Sequence, residues 1–434
     1  MIKNALKYYM RNGKLYNQYS AELKKTESYS SIELEHYQNE KLQNIIHSAY
    51  ENVKFYRNAF DDRKLKPSDI KTKEDLKKLP IIEKDMVQSN INNFLNQGKK
   101  KYLFKSLTGG TTGTPGVFFR DIDSINFENA ALWRFFNWGG KIKKNRRITL
   151  RGQVVCPVEN NKPPFWKYNF ISKELVLSSY HLCDENMPYY ISKIKEFKPF
   201  DLYAYPSTAY LLAEYCLRNK ITLALSAVFT SSEMVFPYQR RVIEKAFTCK
   251  LYDWYGQAER VSAIGQCEKQ KYHIIEDYSI TELLPMDDGT YEVIGTSLKN
   301  VGMPLIRYRT GDYITFNKKN QCDCGKQYRR VEKICGREGV YVKTLDGRAI
   351  GVAVLTLIPR GINNLVELQY VQENKDEIVL KIICSEKFSK KDEEMLIKNA
   401  RDHISHDMQY IIKKVKKIER SKIGKFIPVV SRIN

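Results

Sequence analysis

Two constellations in this 434-residue chain have the residue types and spacing for chemistry. The first is the run Thr108, Gly109, Gly110, Thr111, Thr112, Gly113, Thr114, Pro115, with the apolar Gly116, Val117, Phe118, Phe119 directly behind it. Glycines let backbone N–H groups converge on a polyanion, and threonine hydroxyls add donors without charge. By itself the run fits a phosphate cradle or a flexible surface turn about equally. It lacks the Gly-Lys-Ser/Thr ending of a Walker A loop and the strand-then-GxGxxG layout of a dinucleotide site. The second is Cys267, His273, Cys322 and Cys324. Three thiolates and an imidazole make a complete tetrahedral donor set, suited to a closed structural Zn²⁺ site. The spacing is not that of a common zinc finger, and the weaker alternative is that Cys267 and His273 are unrelated surface or core residues.

Elements must position these groups. Residues 1 to about 100 carry helical spacing, as in Leu34, Tyr37, Leu42, Ile45, Ile46 and Tyr50, and read as a helical lead-in. From about 101 to 330, strand-like and helical runs alternate: Arg147 to Val155, Tyr205 to Leu217, Ala227 to Thr230, Pro237 to Phe247. That pattern predicts α/β layering on a largely parallel sheet. After Gly336 the pattern changes, and runs at Leu365 to Gln372, Glu377 to Cys384, Lys390 to Ile404 and Tyr410 to Ile418 predict a small α+β domain. The expected architecture is α/β, a large multi-subdomain N-terminal domain (1–336) with mixed sheets and a small mobile C-terminal domain (337–434).

Composition bounds the partners. Hydrophobic residues are 42% and charged residues 28%, a globular balance. No apolar run approaches membrane-spanning length. Met1 to Tyr9 is interrupted by Lys3, Asn4 and Lys7 and makes no clean secretion signal, so a cytoplasmic protein is expected. Nine cysteines, an odd number without a signal peptide, argue for reduced thiols over a disulfide framework. The net charge of +22 would raise nucleic acid or an anionic membrane as partners. The lysines are spread along the chain, however, so a solvated basic surface is expected, with no nucleic-acid partner.

Four further segments follow the Thr108 loop in order: Tyr255, Gly256, Gln257, Ala258, Glu259; then Tyr308, Arg309, Thr310, Gly311, Asp312; then Gly336, Arg337; then Ser421, Lys422, Ile423, Gly424, Lys425. Together they resemble the motifs of the adenylate-forming enzymes, the acyl-CoA synthetase, adenylation-domain and luciferase superfamily. The chain is most similar to the phenylacetate-CoA ligase and CapK-like branch, through Ala49 to Phe60, Phe200 to Tyr215 and Phe229 to Glu259. The resemblance implies an AMP-forming ligase that activates a small carboxylic acid with Mg²⁺ and ATP, then passes the acyl group to coenzyme A, a carrier thiol or an amino sugar, in surface polysaccharide biosynthesis among other settings.

The resemblance also assigns residues. Thr108 to Thr114 would hold the phosphates, with Thr111 and Thr112 catalytic; Glu259 would ligate Mg²⁺; Tyr255, Gly256 and Glu233 would line the adenosine site. Asp312 would bind the ribose, Arg337 the ribose or phosphate, and Lys425 the charge developing between carboxylate and α-phosphate. The acyl pocket would draw on Trp133 to Gly140, Tyr205 to Thr208 and Thr230 to Met234, including Phe136, Gly139, Tyr205, Pro206, Ser207 and Ser232. Relatives carry a Cys-x-Cys-Gly element where Cys322 to Gly325 stands, which favours zinc. Three departures stand out: Ala258 where a hydroxyl residue is usual, Gly109 where serine is common, and Gly339 where a hinge aspartate is usual. A homodimer is left open, and the alternative is a catalytically inactive nucleotide-binding module of the same fold.

Overall fold

The computed structural model describes residues 8–107, 116–142, 145–157, 160, 162–316, 322–337, 341–346, 349–351, 355, 358, 359, 361, 362, 364–420 and 426–433. A hairpin of β1 (Phe104–Leu107) and β2 (Val117–Arg120) brackets the glycine-threonine run. Four short apolar strands then form the centre of a large sheet: β3 (Arg147–Leu150), β6 (Asp201–Ala204), β7 (Ala227–Ser231) and β8 (Lys250–Gly256), with β4 (Trp166–Asn169) and β5 (Glu174–Leu177) at one edge. Strands β3 and β7 are buried along their whole length, the mark of a parallel sheet covered on both faces. The helices Ile122–Trp138, Met187–Phe197, Pro206–Arg218 and Pro237–Phe247 connect these strands.

The other half of the twelve-stranded sheet is antiparallel: β9 (Ala263–Gln266), β10 (Tyr272–Ile274), β11 (Ser279–Pro285), β12 (Tyr291–Ser297), β13 (Tyr308–Phe316) and β14 (Arg330–Arg337). The large sheet is therefore mixed, with parallel pairing confined to β5-β3-β6-β7-β8, in place of the largely parallel sheet expected over 101 to 330. The reason is connection length. A parallel crossover needs a dozen or more residues, whereas Gln266 and Tyr272 are joined by a tight loop.

The N-terminal helices Lys14–Thr26, Ser31–Asn52 and Lys54–Asp61 belong to the same core. Ser30 and Glu33 form a capping box that starts the second of them, and Leu42, Ile45 and Ile46 pack with Val261, Ile280 and Leu305. Two buried carboxylates tie the sheet to its helices. Asp277 receives Arg134 at 2.5 Å, and Asp201 receives Lys141 at 2.6 Å and Arg147 at 2.5 Å.

The small C-terminal domain has its own sheet. A hairpin β15 (Tyr341–Lys343) and β16 (Ala349–Gly351) precedes β17 (Leu365–Gln372) and β18 (Glu377–Cys384), which meet β19 (Gln409–Lys414) and β20 (Val429–Ser431) in the order β19-β18-β17-β20. The helix Lys390–His403 starts on a Ser389–Asp392 capping box and buries Leu396 and Ala400 against this sheet. Leu368 and Tyr370 of β17 share an apolar cluster with Phe236 of the large domain, and Tyr238 packs against it. Among the described residues, no helix is long and apolar enough to cross a membrane.

Candidate functional site

In an open sheet with parallel strands, ligands settle beyond the strands' carboxyl ends. Arg151 follows β3, Tyr205 follows β6, Ser232 follows β7, and Gln257 follows β8. Ser232 has a left-handed backbone (φ 74°), a conformation that costs a non-glycine residue free energy and is concentrated at functional sites. Its neighbour Glu233 accepts from the Ser207 amide (3.1 Å), at the start of the helix that Pro206 opens, and from the Phe426 amide (2.7 Å) of the small domain. Glu233, expected at the nucleotide, thus joins both domains at this end of the sheet.

Of the expected acyl-pocket residues, Tyr205, Pro206, Ser207 and Ser232 share this end. Phe136 and Gly139 lie deeper. Phe136 packs on Phe229 (5.0 Å between ring centres) and Tyr203 (5.2 Å), and a Cβ on Gly139 would fall 2.6 Å from the Phe229 ring. Gly139 is required there for close approach, and Tyr203 relays the Phe136 surface toward Arg151.

At the carboxyl end of β8 a second polar group assembles. The Tyr255 hydroxyl donates to Asp312 Oδ2 (2.6 Å) and accepts from Gln257 Nε2 (2.6 Å). Burial first, and the Asp312 carboxylate second, raise the Tyr255 phenol well above its ordinary range. Asp312 is buried and lies opposite Arg337 in the β13–β14 register. Gly311, at φ 67°, supplies the left-handed turn that sets Asp312 in place, and Thr310 Oγ1 accepts from the Asp312 amide (3.0 Å). Glu259 is buried, and its Oε1 accepts from the Tyr308 hydroxyl (3.2 Å). Gly256 sits against the Trp254 indole, where a Cβ would lie 3.1 Å from Nε1.

One residue beside this group carries no motif signal. Arg120, at the end of β2, donates to the Ala258 carbonyl (2.7 Å) and so braces the residue before Glu259. Burial, with Arg260 second, pushes its guanidinium down to about 10. Arginine at a strand terminus is common enough that Arg120 could not be singled out from sequence, and Tyr308, though part of the 308–312 motif, is assigned no contact with Glu259 by it. Thr108 to Thr114, including Thr111 and Thr112 that were expected to be catalytic, lie outside the described residues, as do Gly339 and Lys425; Arg337 is placed by its strand register alone.

The thiol and imidazole constellation does come together. Cys267 and His273 flank the β9–β10 turn, where the Cys267 amide donates to Lys271 O (3.0 Å), and Cys322 and Cys324 precede β14. The four donor atoms all lie within 4.8 Å of one another, with Cys267 Sγ 3.8 Å from Cys322 Sγ and Cys324 Sγ 3.5 Å from His273 Nε2. A zinc tetrahedron with Zn–S of about 2.3 Å has sulfur–sulfur edges near ~3.8 Å, so the donor set fits the ion. His273 Nδ1 is 3.1 Å from the Tyr328 carbonyl. Donation there fixes the tautomer and leaves Nε2 to ligate. A hydrogen bond from Cys324, then one from His273, holds the Cys267 thiol well below its usual range despite burial.

Comparison with known proteins places this geometry. Residues 342–432 match the family model of the CapK C-terminal domain. The chain is 28% identical over 351 residues to protein CapK of Staphylococcus aureus, covering 80% of this chain and 78% of the relative. It is 24% identical over 392 residues to a phenylacetate-coenzyme A ligase of Thermus thermophilus, covering 81% of each. Among solved structures, a 2-hydroxyisobutyryl-CoA ligase in the postadenylation state superposes with a TM-score of 0.74 at 17% identity, covering 94% of this chain and 91% of that one.

Proposed function

We propose that this chain, a homologue of CapK and of the phenylacetate-CoA ligases with the fold of the adenylate-forming ligases, activates a carboxylic acid with ATP and transfers it to a thiol. In the first step a carboxylate oxygen attacks the α-phosphorus, an O–P bond forms, and pyrophosphate leaves with the electrons of the broken bond. In the second, the thiol sulfur attacks the acyl carbon, AMP leaves, and one proton is released. Coenzyme A is the acceptor proposed, by kinship with the CoA ligases; a carrier thiol or an amino sugar, and a role in surface polysaccharide synthesis, are what kinship with CapK adds. The enzyme is proposed to act in the cytoplasm.

The observation that carries this reading is the Tyr255–Asp312 hydrogen bond at the carboxyl end of β8, with Glu259 bonded to Tyr308 on the same strand as Asp312 and Arg337 in register opposite Asp312. Asp312 accepts hydrogen bonds from the ribose hydroxyls, held ready by Tyr255. Glu259, steered by Tyr308, is a hard oxygen ligand for Mg²⁺, which when bound neutralises phosphate charge. Thr108 to Thr114 cradle the phosphates, and Lys425 stabilises the charge that develops as the carboxylate reaches the α-phosphate. Tyr205, Pro206, Ser207 and Ser232 line the acid's side of the site, with Phe136 and Gly139 forming its floor. Cys267, His273, Cys322 and Cys324 hold a structural Zn²⁺ that pins the β9–β10 turn to the segment before β14.

Carboxylate-dependent ATP–pyrophosphate exchange, without acceptor, tests the reading. Exchange with at least one class of acid is expected; silence across aryl, fatty, hydroxy and dicarboxylic acids, with ATP bound, would favour the inactive nucleotide-binding module. A second expectation concerns affinity. Asp312→Ala should raise the Kd for ATP about 10- to 100-fold, the worth of hydrogen bonds to a charged group, whereas Tyr255→Phe should raise it less than about tenfold. Equilibrium binding checks both, and an unchanged Kd for Asp312→Ala would remove Asp312 from the nucleotide site.

A further inference from the structure

Among the described residues the buried arginines face carboxylates: Arg134 meets Asp277 at 2.5 Å, Arg147 meets Asp201 at 2.5 Å, and Arg307 meets Glu282 at 2.9 Å. Arg151, at the carboxyl end of β3, does not. Its terminal nitrogens donate to two neutral hydroxyls, Tyr203 (2.7 Å) and Ser232 (2.7 Å), and among the described residues no carboxylate lies within ion-pair distance. The guanidinium carbon lies 4.4 Å from the centre of the Tyr203 ring and 5.2 Å from that of Tyr205, within cation–π range of both. Nε is buried without a partner. Tyr203 and Ser231 hydroxyls are 3.1 Å apart and Ser231 and Ser232 3.4 Å, so the cluster is rich in donors and closed on itself.

We infer that Arg151 is a specificity residue that receives a second anionic oxygen group on the acid, a carboxylate or phosphonate-type anion distinct from the carboxylate that is activated. The inference rests on the adenylation reading above. A desolvated guanidinium favours an anion strongly when its planar fork is already oriented, and here two aromatic rings and two hydroxyls orient it. The residue is half-buried, so a ligand can reach it. Its position favours the acid's side of the site. Arg151 shares no hydrogen bond with Tyr255, Glu259, Asp312 or Glu233, and it touches the β6 and β7 ends that carry Tyr205 and Ser232, residues of the proposed acid pocket. The left-handed Ser232 is the second mark of a built site: the backbone takes a costly conformation in the residue whose Oγ accepts from Arg151.

The test is ATP–pyrophosphate exchange on the full chain with acids paired by length, one member of each pair bearing a second anion: valerate and glutarate, phenylacetate and 4-carboxyphenylacetate, butyrate and 3-phosphonopropionate. Wild type should favour the second member of at least one pair by about tenfold or more in kcat/KM. Arg151→Met should cut that preference ratio about 10- to 100-fold, and Arg151→Lys, which keeps the charge without the fork, should keep part of it. A ratio is insensitive to partial misfolding, which lowers both members together. Wild type turning over the plain members equally well, or Arg151→Met lowering both members alike, would overturn the inference while leaving adenylation standing. Silence with every acid would remove the adenylation reading and the inference with it.

Discussion

Lys425→Ala is expected to lower carboxylate-dependent ATP–pyrophosphate exchange by about 10²- to 10³-fold, the range seen when one charge-stabilising donor is removed from a transition state. ATP affinity should change by less than about threefold, because the lysine acts on charge that exists only as the carboxylate closes on the α-phosphate. The neighbouring geometry supports that placement. Phe426, the next residue, is tied through its amide to Glu233, which also accepts from the Ser207 amide at the carboxyl end of the parallel strands. Arg420, five residues before Lys425, is anchored by Glu367 at 2.5 Å on β17. The described residues on either side of 421–425 are thus each anchored, Arg420 to β17 of the small domain and Phe426 to Glu233 of the large one. Exchange kinetics and equilibrium ATP binding on the same preparation check the two halves separately. Exchange at the wild-type rate would mean that Lys425 has no part in adenylation; loss of ATP binding would make it a ground-state contact.

How much of this was legible in the chain follows from the range of each interaction. The bounds of β17, β18 and the helix Pro237–Phe247 coincide with runs visible in the sequence, because alternation and flanking polar residues are local signals. The cysteine and histidine cluster was legible because thiols and imidazole are scarce and chemically specific. The antiparallel half of the large sheet was not, since pairing direction is set by where short connections force a strand to return. Nor were the partners of the site residues: Tyr255 meets Asp312 across 57 positions and Glu233 meets Phe426 across 193, distances over which no spacing rule operates. Arg151 is the extreme case. A single arginine after a four-residue strand carries no pattern, and its hydroxyl partners, its partial exposure and the absence of a carboxylate among its described partners set it apart from the buried arginines.

The zinc proposal makes the largest demand on stability. Protein prepared without chelator should carry one zinc per chain by elemental analysis. Cys267→Ser should release it and destabilise the large domain by about 3–5 kcal/mol, the usual consequence of taking one partner from a buried charge set. The cost arises because Cys267 is buried and three remaining donors are left close together without their ion. Ligation needs thiolates and a neutral imidazole, so zinc retention should fall as pH is lowered. The loss should reach the nucleotide side of the sheet as well. His273 lies on β10, which pairs with β14, and β14 carries Arg337 opposite Asp312. A loosened β10 therefore frees one edge of the strand that faces the proposed ribose contact, and ATP affinity should weaken together with the metal. Metal analysis, thermal unfolding and ATP titration of wild type, Cys267→Ser and an exposed-thiol control, Cys183→Ser, separate this from a general effect of removing a cysteine. Stoichiometric zinc retained by Cys267→Ser, or a wild-type chain that holds none, would defeat the four-ligand site.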